Sequence, residues 1–160
     1  MKYRLTNETI EVGEVILHRI ECVEAFANVK VGDKGGWIEN ENNLYQEDDA
    51  WVSGNAQVSG NAQVYGNAQV YGNAKVYDNA RVFDSASVSG NAQVSGNAQV
   101  SGNAQVSGNA WVYGNAWVRG NAKVSGNAQV YGAAWVYGNA KVSGNANLQK
   151  SDFGKCTIIV

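Results

Sequence analysis

Residues 52–69 read V-S-G-N-A-Q-V-S-G-N-A-Q-V-Y-G-N-A-Q, and the same six-residue phrase runs on for almost a hundred residues. Val recurs at 52, 58, 64 and every sixth position to 142, and Leu148 follows in phase. Ala holds the fifth place of every hexad from 56 to 146. Gly holds the third place except at Asp78 and Asp84, and Asn the fourth except at Ser85 and Ala133. A period of six is foreign to a helix, whose period is about 3.6. It suits a short strand followed by a turn. In Ala-x-Val-x, alternate side chains leave opposite faces of a strand, so Ala and Val point inward and both x residues outward. Gly-Asn tolerates positive φ and makes the corner.

A single hexad cannot bury its own Val, but stacked hexads can. Three hexads close a triangular coil, and the sixteen hexads of 52–147 make about five such coils, spaced by ~4.8 Å. Disordered low-complexity chain does not hold Val and Ala in strict phase over this length. The sequence therefore predicts an all-β, three-sided parallel β-helix solenoid. Its inner ladder of Val and Ala leaves no room for a ligand, so binding has to occur outside the rod or between molecules.

Composition agrees. Pro is absent, Gly fills 19 positions, and charge is sparse, with 12 Lys+Arg against 14 Asp+Glu. Duplex nucleic acid is excluded as a partner by the lack of clustered positive charge. No apolar stretch approaches a membrane span. Charge is divided along the chain: residues 1–50 carry 5 basic and 11 acidic residues (−6), residues 51–147 carry 5 and 2 (+3), and 148–160 add +1. Cys22 and Cys156 stand at opposite ends and read as reduced thiols of a cytoplasmic protein. Residues 1–17 contain acidic residues and no apolar run, unlike a signal peptide.

Three regions follow: an N-terminal β cap over 1–45, the solenoid over 46–150, and a C-terminal tail strand over 151–160. In the cap, segments 3–6, 9–12 and 15–22 alternate, and V-I-L-H-R-I-E-C at 15–22 reads as a buried strand. A solenoid end is an open sheet edge, and a charged head of different composition is suited to cover it. The tail C-T-I-I-V either pairs on the last coil or crosses to another subunit.

The hexads resemble the hexapeptide-repeat left-handed parallel β-helix superfamily. Left-handedness is implied by that resemblance alone and runs against the usual crossover rule. The head motif G-D-K-G-G-W-I-E-N-E-N-N-L at 32–44 resembles that of uncharacterised hexapeptide-repeat proteins of bacteria, phages and prophages. The resemblance implies side-by-side homotrimers, and in many relatives acyl transfer with a His on the solenoid as base.

This sequence lacks the residues for that chemistry. Its one His, His18, lies in the head, and no hexad contains His, Cys or Glu. A His/Cys metal site is excluded, no cofactor is expected, and the protein is expected not to be an enzyme. Asp78 and Asp84 suit left-handed turns without a catalytic duty. The hexad serines read as solvent-facing.

Stepping by three hexads at a time sorts the outward residues onto three sides. The first side, holding Val52, Val70 and Val88, displays mostly Ser, Gln and Lys, with Trp51 and Tyr71 near its start. The second, holding Val64, Val82 and Val100, displays Tyr65, Arg81, Phe83, Trp117, Arg119, Trp135 and Tyr137. The third displays Lys75, Tyr77, Trp111, Tyr113 and Tyr131. An aromatic surface of this size is a candidate subunit contact or ligand face. The sequence points to a non-catalytic oligomeric binding protein that takes a small anionic, nucleotide-like ligand in grooves between subunits. A spacer module, a carbohydrate binder and a degenerate acyltransferase are the competing readings.

Overall fold

The computed structural model describes residues 1–149 and the backbone of the strands Asp152–Phe153 and Thr157–Ile159. It is a parallel β-solenoid of about six turns with three sheets. Each hexad supplies a two-residue strand ending on Val, such as Gln99–Val100, and a corner. Every hexad strand pairs in parallel with the one three hexads away: Val82 lies opposite Val100, which lies opposite Val118. All the phased Val and Ala residues are buried, Leu148 included. Burying each Val contributes roughly 1.5–3 kcal/mol.

The corners account for the rest of the phrase. Gly takes left-handed φ there, as at Gly108 (66°), and Asp78 and Asp84 adopt it too, at 59° and 56°. The two carboxylates explain the exception. Each accepts the backbone N–H of the glycine one coil on: Asp78 Oδ2 from Gly96 and Asp84 Oδ2 from Gly102, both at 3.0 Å. Asn side chains form ladders between coils. The corner after the first side carries the longest, running from Asn55 through Asn73, Asn91, Asn109 and Asn127 to Asn145 at 3.0–3.3 Å per step.

The head covers one end. Strands β1 (Tyr3–Val12) and β2 (Val15–Cys22) form a hairpin around Gly13, with a bulge between Leu5 and Thr9. The segments 3–6 and 9–12 are thus one strand. β2 pairs antiparallel with β3 (Lys34–Ile38), and β3 pairs in parallel with Gln57–Val58, so the hairpin extends the third side. The expectation of a buried strand at 15–22 holds in part. Only Leu17, Ile20 and Cys22 are buried; Ile20 and Cys22 join the core, Leu17 is buried apart from it, and Ile16 is exposed because it lies beside the hairpin turn, away from the coil.

The motif at 32–44 is cap chemistry. A Cβ on Gly35 would collide with Ile20 and one on Gly36 would lie 2.7 Å from Val52, so only glycine lets β3 approach the hairpin and the coil. Asn43 is buried and satisfied: its amide donates to the Gly60 and Ala62 carbonyls, and its Oδ1 accepts from the Glu39 and Asn40 N–H groups. Tyr3 is buried beneath, donating its hydroxyl to the Leu44 carbonyl at 2.6 Å. This first coil is longer than the others: Leu44 stacks on Val64, three hexads and two further places on, whereas Val52 stacks on Val70, three hexads on. Trp51 does not face solvent. It is 5% exposed, packed edge-on against Tyr3 and Phe26 of the head.

At the other end, Phe153 pairs with Val136 and Ile158 with Val142. Of the two expected placements for the tail strand, the one on the last coil is found. Cys156 lies outside the described residues.

Candidate functional site

The outward residues of the second side form two columns. The inner column, rising by coils, is Gln63, Arg81, Gln99, Trp117, Trp135, and its register is set by strand pairing. The outer column, two places later in each coil, is Tyr65, Phe83, Ser101, Arg119, Tyr137. The rise of ~4.8 Å between parallel strands falls within the roughly 4.5–7 Å centroid separation of offset-stacked rings, so in-register aromatics stack. Trp117 and Trp135 lie parallel with centroids 5.1 Å apart. The Arg119 guanidinium sits over Trp117, Trp135 and Tyr137 at 5.7, 5.1 and 5.6 Å from their centroids. Trp135 is 40% exposed.

Across the corner, the third side adds Tyr113 stacked on Tyr131 at 5.0 Å and Trp111 tilted against Tyr113 at 4.7 Å. Burial pushes the Tyr113 phenol above its ordinary pKa. Tyr131 and Trp135 flank the corner Gly132-Ala133, where Ala replaces the usual Asn. The Asn97–Asn115 ladder stops beneath it, so the aromatic surface crosses this corner without a polar side chain.

The structure thus brings together Trp117, Arg119, Trp135 and Tyr137, with Trp111, Tyr113 and Tyr131 round the corner. Arg81 and Phe83 stand apart from them, separated by the Gln99–Ser101 rung. Phe83 belongs to a second stack, parallel to Tyr65 at 5.0 Å, with Tyr45 below Tyr65 at 5.3 Å. Sequence reasoning misses Tyr45, although it falls one place after Leu44, where the column predicts it. The expectation that the hexad serines face solvent fails at Ser95, which is 4% exposed: Trp111 leans over it and donates its Nε1–H to the Ser95 hydroxyl at 3.3 Å.

The remaining candidates hold backbone. His18 Nδ1 lies 3.3 Å from the Thr6 carbonyl, within the hairpin. Among the described residues no three His, Cys, Asp or Glu side chains gather as a metal set. The ion pairs among the described residues all lie in the head, joining the amino terminus to Glu24, Arg4 to Glu21 and Lys34 to Glu8. Arg81 and Arg119 have no carboxylate partner among the described residues. A separate cleft of about 470 Å³ lies between the hairpin tip and the third side, lined by Val12, Val15, Glu39, Lys75, Tyr77 and Asp78. Both of its carboxylates are engaged, Glu39 with the Gly60 N–H and Asp78 with that of Gly96.

A family model described as the YdcK beta solenoid repeat matches residues 56–72, 74–90, 98–114, 104–120 and 122–138. Each match spans nearly one coil. These segments of the chain are similar to YdcK β-solenoid repeats. No curated protein matches the chain. The YdcK matches at 98–114, 104–120 and 122–138 include the whole aromatic ridge, from Trp111 to Tyr137. Within these repeats the ridge occupies the variable outward places, while Val, Gly and Ala build the coil. Among the described residues no helix is long and apolar enough to cross a membrane.

Proposed function

We propose that this β-solenoid is a non-catalytic binding protein of the bacterial cytoplasm. It works as a homo-oligomer, most simply a trimer, and holds a small anionic, nucleotide-like ligand where subunits meet along the aromatic ridge. One observation carries the reading: Arg119 sets a cation without a carboxylate partner, among the described residues, into a partly exposed surface of three aromatic rings. Trp, Tyr and Arg are the residues that dominate binding surfaces, and a guanidinium among rings suits a planar anion. Ala133 supports the subunit contact, because it removes an amide that a packed interface would have to desolvate. The non-catalytic part is supported by the structural use of Asp78 and Asp84, each of which accepts a corner N–H of the next coil through Oδ2.

Light scattering combined with a thermal-shift screen tests this. The wild type is expected at an oligomer mass and to melt higher with mononucleotides. Trp117→Ala with Trp135→Ala should lower the mass while the β signature in circular dichroism persists, since truncated interface aromatics commonly cost ~2 kcal/mol or more each. A monomeric wild type refutes the subunit contact. Stabilisation by neutral sugars instead of nucleotides would replace the proposed ligand with a carbohydrate. An oligomer that responds to neither class would make the rod a spacer.

A further inference from the structure

The outer column of the second side is a stack with one rung unfilled. Below, Tyr45, Tyr65 and Phe83 succeed one another at 5.3 and 5.0 Å. Above, Arg119 lies against the Tyr137 ring. Between Phe83 and Arg119 stands Ser101, whose side chain is too short to continue the stack. Phe83 and Arg119 are two coils apart, about 9.6 Å by strand spacing. That separation admits one flat group in contact with both.

The third side carries the same arrangement, and there the rung is filled. Tyr77, Ser95 and Tyr113 follow one another a coil apart, and the Trp111 indole covers Ser95 and hydrogen-bonds to it. Trp117 is the equivalent residue on the second side. It lies parallel on Trp135 instead, and Ser101 keeps partial exposure. The molecule thus contains one serine rung closed by its own indole and one left open. The open rung is bordered by groups that recognise more than a ring: the Ser101 hydroxyl and Gln99 amide at its floor, Arg119 above, and Arg81, exposed and without a carboxylate partner among the described residues, on the coil below.

We propose that the rung at Ser101 is a binding site for a flat heteroaromatic ring carrying an anionic group. The ring completes the stack between Phe83 and Arg119, and the anion lies toward Arg81. This deepens the binding reading given above and rests on it, and it places the ligand below the Trp117–Trp135 pair. A purine nucleoside monophosphate has this chemistry, as does an indole carboxylate.

Calorimetric titration of the full chain with adenosine monophosphate, adenosine, indole-3-carboxylate and inorganic phosphate tests it. Adenosine monophosphate is expected to bind, adenosine at least ten-fold more weakly, and phosphate alone not measurably. Indole-3-carboxylate separates the two sources of the chemistry: binding as tight as the nucleotide's assigns the site to aromatic carboxylates as much as to nucleotides. Ser101→Tyr fills the rung and should abolish binding while the melting temperature and oligomer mass hold. Ser101→Asp leaves the rung open, adds a like charge and should weaken binding at least ten-fold, which keeps the test intact if the Tyr variant misfolds. Undiminished binding by both Ser101 variants overturns the site. If binding is then lost with Trp117→Ala and Trp135→Ala, the broader reading survives without this site. Failure of the wild type to bind any probe overturns both.

Discussion

Gly108 offers a test of what the corners require, because the expected order of substitutions defies size. Its φ is +66°, and an added Cβ would lie 3.0 Å from both the nitrogen and the oxygen of Gly126 on the next coil. Gly108→Ala therefore suffers the left-handed penalty of about 1–2 kcal/mol and forces a small shift of the coil above. Gly108→Asp meets the same backbone but brings a carboxylate to the Gly126 N–H, as Asp78 and Asp84 do for Gly96 and Gly102 at 3.0 Å. Hydrogen bonds to charged groups contribute roughly 1.5–3 kcal/mol, and exposure at the corner reduces this to about 1 kcal/mol. The larger, charged residue should therefore be the less damaging, by about 1 kcal/mol, or roughly 2–4 °C in a chain of this size. Gly108→Asn shares the tolerance of left-handed φ without the charge and should fall between the two. Guanidinium unfolding followed by circular dichroism ranks the four proteins. An Ala variant as stable as the Asp variant would refute the account of the corner acids.

Two further outcomes follow from the body and the cap. Val106 is fully buried and Ser107 partly exposed, so Val106→Asp should abolish cooperative folding while Ser107→Asp shifts the unfolding midpoint little; equal effects would sink the inward–outward assignment. Lys2 donates to the Asp48 and Ala50 carbonyls beside Phe26, and burial lowers its pKa from 10.5 to about 8. The unfolded chain thus binds more protons at Lys2 than the folded one between those values, so this group makes stability rise as pH climbs above about 8. The buried Cys22 thiol from about pH 9 and the buried Tyr3 phenol beyond about pH 10, both raised in pKa by burial, oppose this rise and should reverse it. Lys2→Met should remove the rise and keep the fall, as read from denaturation midpoints across pH.

The body of the fold was legible because phase carries it. A residue's place in the hexad says which way it points, and a step of three hexads says what lies above it. Phase does not say what covers an outward residue. Trp51 is outward by its place, yet the head lies over it, and Ser95 is outward, yet Trp111 leans across it. The head has no period, so its one long strand reads as two segments, and the uses of Gly35, Gly36 and Asn43 emerge only from their contacts. For the candidate site, the columns can be counted from the sequence, but the rotamers cannot. Whether an indole stacks on the next coil, as Trp117 does, or tips onto the one below, as Trp111 does, is decided by packing. The opening at Ser101 is a missing ring, and one serine among many gives no signal of that.

The longer first coil shows that the rod can absorb a length change at a corner of its end coil. Between that coil and the shorter last one, where Phe153 pairs with Val136 and Ile158 with Val142, the chain behaves like a thread cut on a bolt. Inserting three whole hexads advances everything above by one pitch and leaves every face aligned. Inserting a single hexad leaves each repeat locally intact yet turns the upper part by one side, carrying Trp117 and Trp135 away from the face of Tyr65 and Phe83. One added residue strips the thread. Gene duplication could therefore lengthen this protein without disturbing its faces only in whole turns, while a lone hexad would re-aim its aromatic surface without altering one residue of it.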